Sequence, residues 1–403
     1  MENRPNSTTV GFTLLPSELI HFIILRLALP DIFHLKSVNK FITSVISDQD
    51  FLRDYNLRSS SSTWLFVYKK RWHRDPVVIH GFTRSSERWF KVMIGDILKP
   101  VIPPGEDLYF LTASGNFFLF ALNCSREVVS VNPMTKKVQK VPHSPLGPRG
   151  TSSWRRSGIK LLAGPPGSGQ FRFLFAEMVG NSPTLFEYDS RTNEWKSTVA
   201  RESVVSPNMS PSSRIENRDG DRIFLSASNG PRRSVVISVG PDMNEPVVVQ
   251  PVFSGVVEDG ELAVGFSWGS VINRLHIYGD GRMLIVRSGP DSLDDANQGI
   301  RVVKGVELWG LGPNGRQWAF VSRVPNGLID EIKKPYGVMM GCLEEREGTI
   351  GAILMSNFEG VWDIIWLSFD IEKSKWALDP LPEFKMQGSN MAGVTFSSGL
   401  TIC

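Results

Sequence analysis

One spacing recurs along most of this chain and limits the folds open to it. An apolar residue and then a polar one end a strand-like run, and Trp follows six positions after the polar residue. Four copies fit: Phe82-Thr83 with Trp89, Tyr188-Asp189 with Trp195, Leu311-Gly312 with Trp318, and Phe369-Asp370 with Trp376. A fifth copy, Val131-Asn132 with Val138, lacks the Trp, and Val239-Gly240 is a looser sixth.

The polar positions of these six copies are separated by 49, 57, 51, 72 and 58 residues. A four-stranded blade of a β-propeller needs about 40 to 50 residues, and kelch-type blades lie near the upper value. Because one blade cannot bury its own apolar face, blades pack side by side in a ring. The spacing therefore predicts a propeller of six blades, and the interval of 72 residues leaves a seventh open. The polar residue is expected to cap the third strand, and the Trp to fill the space between blades.

Short runs along the same part of the chain have the composition of strands. Residues 117–120 and 171–175 are rich in aromatic side chains and are too short for helices. Residues 391–402 form one more such run, which we expect to pair into the first blade and so satisfy free edge hydrogen bonds. The polar stretches that interrupt the pattern are 142–158, 201–221 and 288–298. Each is either a binding loop on a rigid ring or a disordered insertion.

A helical pattern precedes the strands. Pro16 is placed to open a helix, with Glu18 near its positive end. The apolar residues of this helix form one stripe, made of Leu19, Ile23 and Leu27 and widened by Ile20 and Ile24.

Two further helices are predicted before residue 52. Pro30 and Asp31 end the first helix and start a second, whose apolar face is Ile32, Leu35 and Val38. A third helix is expected from near Asn39 to Val45 or Ile46, with residues 48–51 stopping it. A three-helix unit of about 40 residues is too small to be stable alone, so its apolar residues indicate a partner or packing on the strands.

The order and spacing of these residues resemble an F-box. The family pattern is Leu-Pro, an acidic residue, Leu, an Ile-Leu pair, Leu, an aliphatic-rich helix and Val-Cys-Lys-x-Trp. The matching positions are Leu15, Pro16, Glu18, Leu19, Ile24, Leu25, Leu27, Leu29, Asp31, Leu35, Val38 and Lys40. Asn39 and Ile42 replace the Cys and Trp of the pattern, with Phe41 supplying aromatic bulk. The turns at 131–135 and 188–195 resemble those of plant F-box/kelch-repeat proteins.

The predicted fold class is α+β multidomain, with a short N-terminal three-helix F-box and an all-β kelch-like propeller of six or seven blades. The expected division is a disordered tail at 1–11, the F-box at 12–57, a linker at 58–63 and the substrate-binding propeller at 64–403.

The resemblance implies a division of labour. An F-box binds an SKP-type linker subunit, and through it the cullin and RING subunits of an SCF-type ubiquitin ligase, while the propeller holds a target protein for ubiquitination and proteasomal degradation. The residues expected to contact the linker subunit are Leu15, Pro16, Ile24, Leu25, Leu35, Val38, Lys40 and Phe41. Leu19 and Leu27 are expected to be mostly internal. The target and the residues that bind it cannot be read from the sequence.

Such a subunit needs no nucleophile, because it acts by bringing target lysines close to charged ubiquitin. The alternative is a propeller interaction scaffold with a degenerate F-box that does not bind the linker subunit. A propeller enzyme would need His, Tyr or carboxylates converging on the ring axis, and the six Tyr and six His lie mostly in strand runs.

Composition narrows the remaining classes. The net charge of +3 gives no argument for nucleic-acid binding, and the spacing of the six His and three Cys favours no metal, cofactor or disulfide framework. Basic runs at 69–74, 154–156 and 232–233 are expected to be solvated strand ends, with an acidic or phosphorylated target as the alternative. The apolar segment 19–29 is about half the length of a membrane span. A protein of the cytoplasm, the nucleus or both is expected, without membrane or nucleic-acid partners.

Overall fold

The computed structural model describes residues 14–36, 38–59, 62–69, 71–72, 77–84, 86, 88–165, 167–202, 222–228, 234–240, 245–249, 251–253, 274–279, 281–312, 315–384, 386–387 and 392–402. The helices are α1 (Ser17–Leu25), α2 (Leu29–Lys36), α3 (Lys40–Ile46), α4 (Gln49–Ser59), α5 (Gly95–Leu98), α6 (Leu293–Gln298) and α7 (Asn326–Ile332). Two short 3₁₀ turns occupy Ser152–Trp154 and Arg156–Gly158.

The first half of the strands is β1 (Thr63–Lys69), β2 (Arg71–Trp72), β3 (Val78–Thr83), β4 (Trp89–Met93), β5 (Leu108–Ser114), β6 (Phe117–Leu122), β7 (Val128–Asn132), β8 (Lys137–Val141), β9 (Ile159–Ala163), β10 (Phe171–Val179), β11 (Ser182–Asp189), β12 (Glu194–Val199) and β13 (Arg201–Glu202). The second half is β14 (Ile223–Ser228), β15 (Ser234–Val239), β16 (Val247–Val249), β17 (Val252–Phe253), β18 (Arg274–Gly279), β19 (Arg282–Gly289), β20 (Val302–Leu311), β21 (Gln317–Arg323), β22 (Val338–Arg346), β23 (Thr349–Phe358), β24 (Val361–Asp370), β25 (Lys375–Asp379), β26 (Met386–Gln387) and β27 (Ala392–Ser398).

These strands form six sheets within the described ranges, and each sheet is one blade of a β-propeller. From the axis outwards the blades are β27-β1-β3-β4, β5-β6-β7-β8, β9-β10-β11-β12, β14-β15-β16-β13, β18-β19-β20-β21 and β22-β23-β24-β25. The short strands β2, β17 and β26 pair with β5, β21 and β24. One strand of every sheet lines a single central cavity, which makes β27, β5, β9, β14, β18 and β22 the inner strands. The interval of 72 residues contains no seventh blade in the part that the structure describes.

The sequence repeat marks the turn between the third and fourth strands of a blade. In five copies the apolar residue of the pattern pairs across the two strands with the Trp, or Val, that follows the polar residue by six positions. These pairs are Phe82 with Trp89, Val131 with Val138, Tyr188 with Trp195, Leu311 with Trp318, and Phe369 with Trp376. The expected place of these five copies is confirmed. The sixth is wrong, because Val239 ends β15, which is the second strand of its blade.

Three of the repeated Trp residues join neighbouring blades. Each indole N–H donates a hydrogen bond to the outer part of the preceding blade: Trp89 to Pro382 O at 3.1 Å, Trp195 to Pro142 O at 2.7 Å, and Trp376 to Ser322 Oγ at 3.0 Å. The ring fills apolar space between blades while its polar atom is satisfied. The expected role of the Trp is confirmed for these blades.

The ring closes between β27 and β1. These strands pair antiparallel from Thr63 opposite Ser398 to Lys69 opposite Ala392, so the first blade contains strands from both ends of the described chain. This confirms the expected pairing into the first blade for residues 392–398 of the predicted run 391–402, of which residue 391 lies outside the described residues. After β27 the backbone of Thr401 is held by the buried Asn116 amide, with Nδ2 to O at 3.0 Å and N to Oδ1 at 2.9 Å.

The helices α1 to α4 pack directly on blades 1 and 2. Ile20, Ile24 and Phe51 belong to the same buried cluster as Phe66 and Phe118 of the blades. Ile402 and Asn56 exchange two hydrogen bonds, of 3.1 and 2.9 Å, between the end of β27 and α4. Within the range 58–63, which was predicted as a linker, α4 ends at Ser59 and β1 begins at Thr63.

The helical unit has four helices where the sequence indicated three. Asp48 was expected to belong to a stop signal, and α3 does end before it. Its Oδ1 also accepts from the backbone N–H groups of Asp50 at 3.0 Å and Phe51 at 3.3 Å, which caps α4. Phe51 and Tyr55 then turn inward to the shared core, which stabilises the additional helix.

In blade 5 the buried carboxylate of Glu307 on β20 links this strand to its two neighbours, β19 and β21. Glu307 accepts hydrogen bonds from Arg287 at 3.2 Å and Arg323 at 2.7 Å, and from Trp309 Nε1 at 3.4 Å. Burial alone would raise the pKa of Glu307, but these donors outweigh burial and hold the pKa below its ordinary value.

Candidate functional site

Helix α1 has apolar side chains on two faces. Ile20 and Ile24 are both 0% exposed and lie in the core shared with the blades. Leu19, Phe22 and Ile23 are 50%, 53% and 41% exposed. Since residues three and four apart lie on one side of a helix, the two sets occupy different faces. The solvent side of α1 is therefore an apolar surface, the α1 outer face (Leu19, Phe22 and Ile23).

Three further apolar side chains of the helical unit are exposed, before α1 and around the start of α3. Val38, between α2 and α3, is 64% exposed, and Phe41 in the first turn of α3 is 39% exposed. Leu14, before α1, is 72% exposed. Single exposed apolar side chains are common on protein surfaces and need no explanation. Several large ones concentrated in one small unit are typical of an interaction surface.

The residues predicted to bind a linker subunit are not all at the surface. Pro16, Val38, Lys40 and Phe41 are exposed. The half-buried ones, which pack partly against the shared core, are Leu15, Leu25 and Leu35.

Two assignments on α1 were reversed. Ile24 is fully buried, so it holds α1 on the propeller and has no surface left for a partner. Leu19, expected inside, belongs to the α1 outer face. Phe22 and Ile23 were missed as surface residues. The sequence did contain a sign of this exposed apolar face, because apolar residues occupy most of the circumference of α1. A helix that buries only one side usually has polar residues on the other.

The two departures from the family pattern have local structural roles. The Asn39 side chain accepts a hydrogen bond from the Ile42 N–H at 2.8 Å and caps α3. Ile42 is 3% exposed and packs in the shared core. Both substitutions therefore support the fold of the helical unit.

A second candidate site lies on the propeller axis. Residues 148–158, within the polar stretch 142–158, contain the two 3₁₀ turns, which contact the inner strands β9, β14 and β18. Ser152 and Ser153 are buried, and the Ser228 N–H donates to Ser152 Oγ at 2.6 Å. This stretch is an ordered cap, the axial cap (residues 148–158). The stretch at 288–298 contains the end of β19 and α6, and most of 201–221 lies outside the described residues.

The axial cap places Arg156 between two cavities on the axis, of about 310 and 110 Å³. Its Nη2 donates to the Tyr68 hydroxyl at 2.8 Å. Trp154 is half-buried and donates to Gly147 O at 2.8 Å. The expectation that 154–156 is a solvated strand end is therefore wrong. Arg71, from the run at 69–74, pairs with Asp107 at 2.5 Å, and residues 232–233 lie outside the described ranges.

Two groups next to Arg156, the Tyr68 hydroxyl and the Cys342 thiol, are neutral near pH 7. Burial raises the pKa of the Tyr68 hydroxyl, and it raises the pKa of the Cys342 thiol to about 11. Burial alone would lower the pKa of the Arg156 guanidinium, but the adjacent Tyr68 and Cys342 hold that pKa above its ordinary value. Arg156 is thus a cation on the axis beside two uncharged partners.

In the part of the chain that the structure covers, no group of three His, Cys, Asp or Glu side chains is placed to hold a metal ion. No helix there is long and apolar enough to cross a bilayer.

Comparisons with known proteins leave the family open. No protein-family model matches the chain, and no curated protein matches it. Among solved structures, a nidogen/laminin complex is 6% identical, with 85% of this chain and 100% of that chain covered and a TM-score of 0.40. TolB from Acinetobacter baumannii is 8% identical, with 90% and 73% covered and a TM-score of 0.39. Likeness at this level carries no argument, and the six sheets above define the propeller.

Proposed function

We propose that the chain is the substrate-recognition subunit of an SCF-type ubiquitin ligase. In this proposal α1 to α4 are an F-box that binds an SKP-type linker subunit, and the propeller holds the target protein. The subunit itself performs no chemistry. The observation that carries the proposal is α1, whose Leu19, Phe22 and Ile23 are 41 to 53% exposed while Ile20 and Ile24 are fully buried.

The α1 outer face suits a partner with an apolar groove that accepts one face of a helix. Exposed apolar surface gains about 25 cal/mol per Å² when a partner removes it from water. A helix that inserts its apolar face into a groove presents side chains at spacings of three and four, as Leu19, Phe22 and Ile23 do. The proposed contacts are the exposed residues of the helical unit, namely Leu19, Phe22, Ile23, Val38 and Phe41, together with the exposed Pro16 and Lys40.

The two candidate sites lie at opposite ends of the ring. Strand β1 starts at Thr63, close to α4, and Tyr68 near its other end contacts the axial cap. A linker subunit on the helices would leave the capped end of the axis free for a target. That arrangement supports a receptor acting by proximity, in which the target is held at high local concentration.

Binding of a purified SKP-type linker subunit to the full chain tests the proposal. Wild type is expected to bind at micromolar concentration or tighter, and the double variant Leu19→Asp/Phe22→Asp to lose at least tenfold in affinity. Phe320→Asp is the matched control, because Phe320 is 51% exposed on β21 of the propeller. Surface substitutions of this kind change stability little, so all variants should stay folded by circular dichroism. Failure of wild type to bind would leave an interaction propeller without a ligase role.

A further inference from the structure

We infer that Arg156 on the propeller axis is the site at which an anionic side chain of the target protein, a carboxylate or a phosphate, is held. This inference deepens the proposed function, since it names the class of target residue. It starts from the position of Arg156, whose guanidinium lies between two cavities. Within the described residues Arg156 takes part in no ion pair with a carboxylate.

The charge of the cavity walls favours an anion. The lining side chains with a formal charge are Arg155, Arg156, Lys160 and Glu344, which together give a net charge of +2. A positively charged recess attracts and concentrates anions.

The walls of the smaller cavity strengthen such a contact. Tyr68, Phe110, Trp154 and Tyr278 line it together with Arg156. Nη2 of Arg156 donates one hydrogen bond to the Tyr68 hydroxyl, and a guanidinium carries five N–H donors with which it can also bind carboxylate or phosphate oxygens. One acidic residue flanked by apolar ones would therefore match the site.

Arg156 is held in place before any target arrives. The buried Glu177 carboxylate accepts hydrogen bonds from Thr151 Oγ1 at 2.6 Å and from Ser153 Oγ at 2.8 Å, which fixes the axial cap. At Gly158 a Cβ atom would lie 2.8 Å from Ser226 O, so only glycine allows the cap to approach β14 this closely. A preorganised cation loses little entropy on binding.

The test uses the full chain and three pools of fluorescent decapeptides, with Glu, phosphoserine or Gln fixed at one central position and randomised flanks. Wild type should bind the Glu or the phosphoserine pool at least tenfold more tightly than the Gln pool, and the stronger of the two identifies the anion. Arg156→Met should abolish the preference, and Arg156→Lys should keep part of it. Arg149→Met is the matched control, because Arg149 lies in the axial cap but lines neither cavity.

Equal binding of the three pools, absent binding, or a preference that survives Arg156→Met would overturn the inference. Linker-subunit binding measured on wild type and on Arg156→Met separates the two proposals. Wild type that binds the linker subunit but does not discriminate between the pools refutes the anion site alone. Loss of linker binding by wild type refutes the ligase assignment, whatever the pools show.

Discussion

Replacing Ile23 and Ile24 separately by Ala distinguishes the two faces of α1. The residues are neighbours of one type, but Ile24 is 0% exposed and Ile23 is 41% exposed. Removing three fully buried carbons at Ile24 costs about 2.4 kcal/mol in transfer free energy. The cavity left behind brings the loss to about 3 to 5 kcal/mol.

At Ile23 the same change removes carbons that are already partly in water. Scaling by the buried fraction gives about 1.4 kcal/mol for a side chain that is 41% exposed. The higher helix propensity of Ala returns about 0.4 kcal/mol, which leaves a loss of about 1 kcal/mol. The two variants should therefore differ in stability by at least about 2 kcal/mol.

Hydrogen exchange followed by mass spectrometry, on peptides that cover α1, measures this difference locally. Ile24→Ala should speed exchange by roughly 100-fold or more, and Ile23→Ala by about fivefold, since 1.4 kcal/mol corresponds to a factor of ten. At a temperature where both variants are folded, Ile23→Ala should be the one that weakens linker-subunit binding by direct contact loss. Equal exchange in the two variants, or the reverse order, would show that the faces of α1 are wrongly assigned.

Three further outcomes are expected. Asn116→Ala should lower the free energy of unfolding by about 1 to 3 kcal/mol, because buried backbone groups of Thr401 lose their partner; an unchanged urea midpoint would contradict this. The lowered pKa of Glu307 contributes stability above the unfolded value of about 4.3, and this contribution is lost as pH falls through the folded pKa. The Tm of Glu307→Gln should therefore lie below that of wild type at pH 7, with a gap that narrows between pH 5 and pH 3; a constant gap would refute the assignment. At pH 8 iodoacetamide should modify the exposed Cys124 well before Cys342, whose thiol has a pKa of about 11, and peptide mapping would reveal the opposite order.

The propeller was readable from the sequence because its signal is local. Phe82 and Trp89 lie opposite each other on the consecutive strands β3 and β4, so a fixed spacing along the chain reports a fixed spacing in space. Val239-Gly240 was the loosest copy of the pattern, and it fell at the end of β15, the second strand of its blade. The pairing of β27 with β1 was predicted because the edge strand of the first blade would otherwise have unpaired backbone hydrogen-bonding groups. This requirement applies to propellers in general.

The candidate sites were only partly predictable. Helix α1 has nine residues, mostly apolar, and such a short helix does not fix which face is buried; the blades decide it by packing on Ile20 and Ile24. Arg156 reaches Tyr68 across 88 positions of sequence, and no local pattern announces a contact of that range. Asp48 was recognised as a boundary, but the sequence did not indicate that it both ends one helix and begins the next.

The two hydrogen bonds between Asn56 and Ile402 order events during synthesis on the ribosome. Their partners are 346 positions apart, which at about 5 to 20 residues per second means a wait of roughly 20 to 70 s. Until residue 402 has left the exit tunnel, α4 lacks these bonds and blade 1 lacks its inner strand. In a polypeptide cut short before that point, only core packing such as that of Ile20, Ile24 and Phe51 would hold the helices on the blades, so these two hydrogen bonds report that the ring has been completed.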